Sequence, residues 1–398
     1  MEKIREPLYK IIWKNAGASA GAVTADYTVQ KGDTLSGIAK TKYGNPHLWP
    51  KIWQANPQIK DPNLIYPGQV IKLPDLGETA KDISRDIADC LISLTYIDHL
   101  HGKSDEIDIT FEDRDDRWKG SWYPQKGDVI TVEIGLRDKG QEKWLKAGTF
   151  QVDEIGFQGP PDAISVKGLS AFITESQRQK KTNAWENVKL SQVILELARR
   201  NNLDPQLQIN PDLQLSRLDQ KNKSDLAFVK DLAEKYGYTV KIDAERMIFL
   251  KPIDLEKQDA VLVIEKGTAD LKRFDIRDKT HDIYRACEIR YSDPKTKQTI
   301  THTEQAQGVV SGDMLKLSER VENRQQAIER TRAELKLKNK FEHSGTLTYM
   351  GNPYMVAGAI IALKGFFNLD GKYLIEEASH TISKSNGYET SMQVRRAT

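Results

Sequence analysis

Tyr27-Thr28-Val29-Gln30-Lys31-Gly32-Asp33-Thr34-Leu35-Ser36-Gly37-Ile38-Ala39, closed by Ile65-Tyr66-Pro67-Gly68-Gln69-Val70-Ile71-Lys72-Leu73-Pro74, marks out a small autonomous unit inside a much longer chain. Thr28 and Val29, and later Val70, Ile71 and Leu73, supply short β-prone runs. Gly32-Asp33 makes a turn, and Thr34 stands where an N-cap accepts from the first helical amides. The helix after it carries Leu35, Ile38 and Ala39. A second helix holds Leu48, Ile52 and Trp53 on one apolar face and ends near Asn56-Pro57, where proline stops it. Pro67-Gly68 turns the chain into the last strand, so the order is strand, helix, helix, strand.

Over residues 27–74, with both ends of the signature present, this pattern resembles the LysM family. The resemblance implies a βααβ module whose groove binds N-acetylglucosamine polymers. The groove lies between the first strand–helix loop and the loop before the last strand. Carried over position by position, it is lined by Gly32, Asp33, Thr34 and Leu35 on one side and by Asn63, Leu64 and Ile65 on the other. A LysM fold also serves as a protein-docking module, and these residues leave both uses open.

Working outward, 398 residues suffice for two to four domains with separate cores. A content of 38% hydrophobic and 29% charged residues is that of an ordinary globular chain, which excludes wholesale disorder. The longest apolar runs, such as 355–363, fall well short of a bilayer span. The first seven residues carry mixed charges without a signal-peptide core, so the chain is expected to be made and kept in the cytoplasm until something else carries it out. Cys90 and Cys287 lie far apart with no CxxC, which reads as two reduced, mostly buried thiols. A net charge of +2 with no long basic stripe argues against nucleic acid and leaves protein surfaces as partners.

Residues 8–13 read as a strand and 17–22 as a small-residue linker, with a returning linker at 75–79. The module is then an insertion after the first strand of a larger sheet. Strands follow at 91–97, 107–112, 129–136, 148–152 and 163–168, spaced as in a closed or nearly closed antiparallel barrel. Residues 184–250 change character. Ser191 is positioned to cap one helix and Ser224 another, Gly237 ends the second, and strands at 238–242 and 247–250 complete an α/β unit. Strands return at 261–264, 283–291 and 299–303. A long helix over 319–339 is capped by Ser318, and strands at 345–349, 360–363, 372–379 and 388–394 close a second barrel.

Several segments resemble the phage late control D family, the baseplate hub proteins of contractile tails, related in architecture to the VgrG hub of type VI secretion. They are 91–98 with 103–107 and 111–115, then 220–228 with 232–237, then 373–380 with 387–392. The likeness covers roughly residues 80–398. It implies a mainly β chain with α+β parts. The first strand of hub barrel 1 falls in 1–16, the LysM insertion in 27–74, the rest of barrel 1 in 80–180, a small α/β domain in 184–255, and barrel 2 with its long helix in 260–398. It further implies a homotrimer that joins a hexameric tail tube to a trimeric spike within a virion or phage-like particle, with wedge or sheath-initiator subunits around it. Trp118, Trp122, Phe157, Phe366 and Phe367 are read either as interface residues or as plugs at barrel ends. In the same resemblance the LysM module is expected to dock to neighbouring baseplate subunits or to peptidoglycan. The competing reading is a LysM-targeted peptidoglycan-binding protein or cell-wall hydrolase.

A hydrolase needs a catalytic constellation, and none is legible. None of the seven histidines sits in HExxH, and Gly-x-Ser-x-Gly and glycine-rich phosphate loops are missing. His99-Leu100-His101 reads as a surface turn rather than a metal site. The acidic turn Asp113, Asp115, Asp116 is interleaved with Arg114 and Arg117, which argues against calcium. No carboxylate pair is singled out by an apolar setting. The expectation is a non-enzymatic protein with no cofactor and no metal.

Overall fold

The computed structural model describes residues 5–14, 23–30, 32–43, 49–62, 64–74, 81–120, 122–170, 179–242, 246–292, 297–309 and 312–397. The linkers expected at 17–22 and 75–79, and Leu48 and Asn63, lie outside them. In chain order, β1 (Glu6–Lys14) is followed by the inserted module: β2 (Val23–Thr28), α1 (Leu35–Tyr43), α2 (Trp49–Gln54) and β3 (Val70–Pro74). Next come β4 (Lys81–Asp82), β5 (Leu91–His99), β6 (Glu106–Glu112), β7 (Val129–Asp138), β8 (Gln141–Gln158) and β9 (Ala163–Leu169). The α/β unit holds β10 (Lys181–Lys189), α3 (Leu190–Arg200), β11 (Asp204–Leu207), β12 (Gln214–Lys223), α4 (Asp225–Tyr236), β13 (Thr239–Ile242), β14 (Arg246–Leu250) and α5 (Pro252–Glu256). The remainder is β15 (Leu262–Glu265), β16 (Leu271–Asp278), β17 (Tyr284–Ser292), β18 (Thr299–Gln305), β19 (Asp313–Leu317), α6 (Arg324–Asn339), β20 (His343–Met350), β21 (Ile360–Lys364), β22 (Gly371–Ser383) and β23 (Gly387–Arg396).

Period-two alternation builds the first β region. Along β6 every second side chain, Ile107, Ile109 and Phe111, is buried, and the residues between them are half-exposed. β1 pairs antiparallel with β7 along its whole length, from Glu6 opposite Arg137 to Lys14 opposite Val129. Residues 15–80 therefore stand between two strands of one sheet. The sheet curls enough that Ile11 on β1 and Ile382 and Tyr388 from the far end of the chain share one core, around Phe111, Trp118 and Phe150. Burying each such large side chain contributes roughly 1.5–3 kcal/mol.

The mainly β reading holds, but the two expected barrels are halves of a single 13-stranded sheet. β22 is the reason. One edge pairs with β23, while the other is divided: residues 371–374 hold β21, and residues 377–383 hold β5. A bulge between Ile375 and Glu377 lets one strand serve both halves. Among the described residues no pairing closes either half into a barrel. Each half nevertheless has its own core, the second built on Leu347, Met355, Ile361, Tyr373, Ile375 and Met392. β17 does not join the second half as expected. It pairs with β18 and β19 in a separate three-stranded sheet that packs on α6 through Ile289, Val321 and Ala327.

Helix starts follow the caps that are present. Ser224 Oγ accepts from Ala227 N at 3.3 Å, and Gly237 ends α4 at φ +71°, both as expected. Ser191 does not cap α3: it lies inside the first turn, where its hydroxyl donates to Asp212 Oδ2 at 2.7 Å. Ser318 does not cap α6 either. Asn323 Oδ1 accepts from Gln326 N at 2.9 Å, and Gln326 Oε1 accepts from Glu322 N at 3.0 Å, which fixes the start five residues later than expected. Residues 220–223, read with the α4 motif, are instead the end of β12, which pairs with β10.

Candidate functional site

In the inserted module, β2 and β3 form a two-stranded sheet under α1 and α2, around Val29, Leu35, Ile38, Ile52 and Ile71. Just before the first expected groove loop, Val29 is bonded to the turn that leads into β3, Val29 N to Gln69 O at 2.9 Å and Gly68 N to Val29 O at 2.8 Å. Gly32 turns the chain at φ +95°. Asp33 Oδ2 accepts from Tyr27 Oη at 2.9 Å and from Gln30 N at 2.7 Å, so this carboxylate holds the loop. Thr34 Oγ1 accepts from Gly37 N at 3.0 Å, the cap expected for α1. Leu35 is 2% exposed and belongs to the core, so only its backbone is left for a groove. Leu64 is 53% exposed, and Ile65 packs partly against the module core.

The depression that forms, about 300 Å³, is lined by Gln58, Lys60, Asp61, Leu64, Tyr66 and Gln69. Of the six expected groove residues that are described, it takes in Leu64 alone. Asn56, read in the sequence only as a helix end, is the clamp of the module. It is fully buried, its Nδ2 donates to Ile52 O and Lys72 O, and its Oδ1 accepts from Lys72 N, each at 2.7 Å.

The aromatic candidates divide. Trp118 is core, stacked on Phe111 at 4.1 Å with Trp122 edge-on at 5.4 Å. Phe366 is buried beside Phe274. Phe157, 48% exposed, stacks on the half-exposed Tyr123, and Phe367, at the turn between β21 and β22, is 85% exposed. The latter two are exposed apolar side chains.

The acidic turn is neutralised by its own neighbours: Asp115 pairs with Arg117, and Lys119 bridges Asp116 and Asp162. His99-Leu100-His101 is a packed connection, not a surface turn. His99 is buried with Nδ1 3.1 Å from Glu377, while His101 Nδ1 accepts from Val240 N at 3.1 Å. The two imidazoles face different partners and make no common metal site.

One carboxylate pair is singled out after all. Asp98 and Asp105, both buried, flank Lys241 of β13, whose Nζ bonds Asp98 Oδ1 and lies 3.0 Å from Asp105 Oδ2. Asp98 Oδ2 also accepts from Ala357 N at 2.8 Å, and Asp105 Oδ1 from His99 N at 2.9 Å. Burial pushes the Asp105 carboxyl up, while the Lys241 ammonium pulls it back. The cluster ties the α/β unit to both sheet halves. Sequence reasoning missed it because 136 residues separate Asp105 from Lys241 (241 − 105), and their periodicity carries no sign of the contact. A second group unseen in the sequence is Asp278, Glu342 and His343, whose ligand atoms lie within 4.8 Å of one another. Among the described residues no helix is long and apolar enough to cross a membrane.

Comparison with known proteins gives this geometry a family. The chain is 31% identical over 175 residues to the probable baseplate hub protein of Escherichia phage P2. It is 29% identical over 173 residues to that of Escherichia phage 186. Each match covers 43% of this chain and 43% of the relative, so the chain is matched over less than half the length of either. The 43 kDa tail protein of prophage MuSo2 from Shewanella oneidensis shares the fold, with a TM-score of 0.62 at 15% identity, covering 81% of this chain and 96% of that one. Residues 27–74 match the LysM domain, as the signature at both ends implied. Residues 178–395, more than half of the chain, match the YQBQ-like family, and the chain belongs to that family.

Proposed function

We propose that this chain is the structural baseplate hub of a contractile phage tail or phage-like injection particle, a non-enzymatic component assembled in the bacterial cytoplasm. Three copies join the hexameric inner tube to the trimeric central spike. The observation that carries this reading is the pair of β lobes with separate cores in a chain related to phage baseplate hub proteins. Three such chains offer six comparable faces, and a ring of six tube subunits repeats its contact on all of them. Residues 1–16 with 80–180, and residues 260–398, are the tube-facing lobes, and residues 184–255 brace them. Such an assembly requires interfaces of obligate size with apolar centres, a place for Phe157 and Phe367.

The LysM module acts in this reading as an adaptor to wedge or sheath-initiator subunits. Leu64 and Tyr66, 53% and 59% exposed beside the depression, support a docking contact. The test is co-purification with the tube and spike proteins of the same particle, with the mass of the complex measured by light scattering. A trimer bound to a tube ring is expected. A monomer that never joins tube or spike contradicts the reading. Peptidoglycan pull-down with a zymogram separates the rival function, since clearing of cell wall would make the chain a hydrolase.

A further inference from the structure

We propose that Asp278, Glu342 and His343 bind a divalent first-row transition-metal ion at the outer edge of the second sheet half. β16 is the terminal strand of that sheet, and its last residue, Asp278, lies directly opposite His343, the first residue of β20. Glu342 precedes His343, and its carbonyl accepts from Lys279 N at 2.9 Å, which holds the two strand ends together. One ligand atom from each of the three side chains lies within 4.8 Å of the other two, with His343 Nε2 3.5 Å from Asp278 Oδ1.

Charge supplies an independent argument. Some surface carboxylates have a cation of their own: Asp115 has Arg117, Asp116 and Asp162 share Lys119, and on the same strand as Asp278, Asp275 has Arg277. Among the described residues neither Asp278 nor Glu342 forms an ion pair with lysine or arginine, and the group facing Asp278 is an imidazole. Two uncompensated carboxylates and one imidazole nitrogen favour a cation of intermediate softness. Calcium and magnesium prefer all-oxygen shells, whereas zinc, cobalt and nickel accept mixed nitrogen and oxygen donors. Asp278 is exposed and the other two half-exposed, so water can complete the shell. The ion would pin the end of the edge strand where the chain departs for β17. This site stands or falls separately from the hub function.

The test is a titration of the purified full chain with Zn²⁺ and Co²⁺, followed by calorimetry and by visible absorption of bound Co²⁺, with Ca²⁺ and Mg²⁺ as comparisons. One Zn²⁺ or Co²⁺ per chain is expected, with no competition from Ca²⁺ or Mg²⁺. His343→Ala and Asp278→Asn are expected to weaken binding at least tenfold and to abolish the Co²⁺ bands, while His302→Ala leaves both intact. Circular dichroism of the metal-free variants checks that they fold, and Zn²⁺ should raise the melting temperature of the wild type but not of Asp278→Asn. Absence of saturable uptake, or binding unchanged in His343→Ala, overturns the proposal.

Discussion

Lys241 lies between two carboxylates taken out of water, and the cost of that burial is met only while all three charges are present. Lys241→Ala leaves Asp98 and Asp105 facing each other uncompensated, and is expected to lower unfolding free energy by about 3–5 kcal/mol, read from urea titration. His380 belongs to the same junction. It is buried, its Nδ1 lies 2.8 Å from Tyr388 Oη, and burial pushes its imidazole down to about 4 despite the pull of Asp98. Unfolded, it titrates near 6.5. Because the unfolded chain takes up the proton first, His380 contributes fully above about pH 6.5, and that contribution is lost as pH falls towards 4. Stability should drop by about 3 kcal/mol across this window, and urea titrations of His380→Gln should show a smaller drop. Neither residue announces this role in the sequence, because each acts through partners far along the chain.

Elements were legible where their signals are local. The LysM turn, the cap of α1, the cap and glycine stop of α4 and the alternation of β6 all rest on residues within one or two turns of each other. The start of α6 was not, because serine at 318 and asparagine at 323 both satisfy the cap pattern, and the tertiary bond from Ser216 N to Glu322 Oε2 at 2.7 Å favours the later one. Asn323→Ala should therefore destabilise the chain by about 1 kcal/mol in thermal or urea unfolding, whereas Ser318→Ala should be near neutral. Of the five aromatic candidates, the sequence could not separate plugs from surface, since burial depends on which strands lie across from them. Phe367→Ser should leave the unfolding free energy within about 0.5 kcal/mol of wild type yet weaken assembly with tube or neighbouring chains, measured by co-sedimentation.

At the scale of the whole molecule, β22 makes one sheet of what reads as two barrels. Its pairing with β5 spans 286 residues between Thr95 and Thr381 (381 − 95), a register that no local pattern encodes. The two halves are therefore coupled through shared backbone bonds along β22. The depression beside Leu64 has the same character: it is lined from residues 58–61 and 64–69 together, a juxtaposition that no local pattern states. The most direct test is a cryo-EM reconstruction of the chain bound to its tail tube. The account predicts a threefold axis through three copies, with both lobes of every chain contacting the six-subunit ring. A complex in which only one lobe per chain touches the ring, or one lacking threefold symmetry, would contradict it.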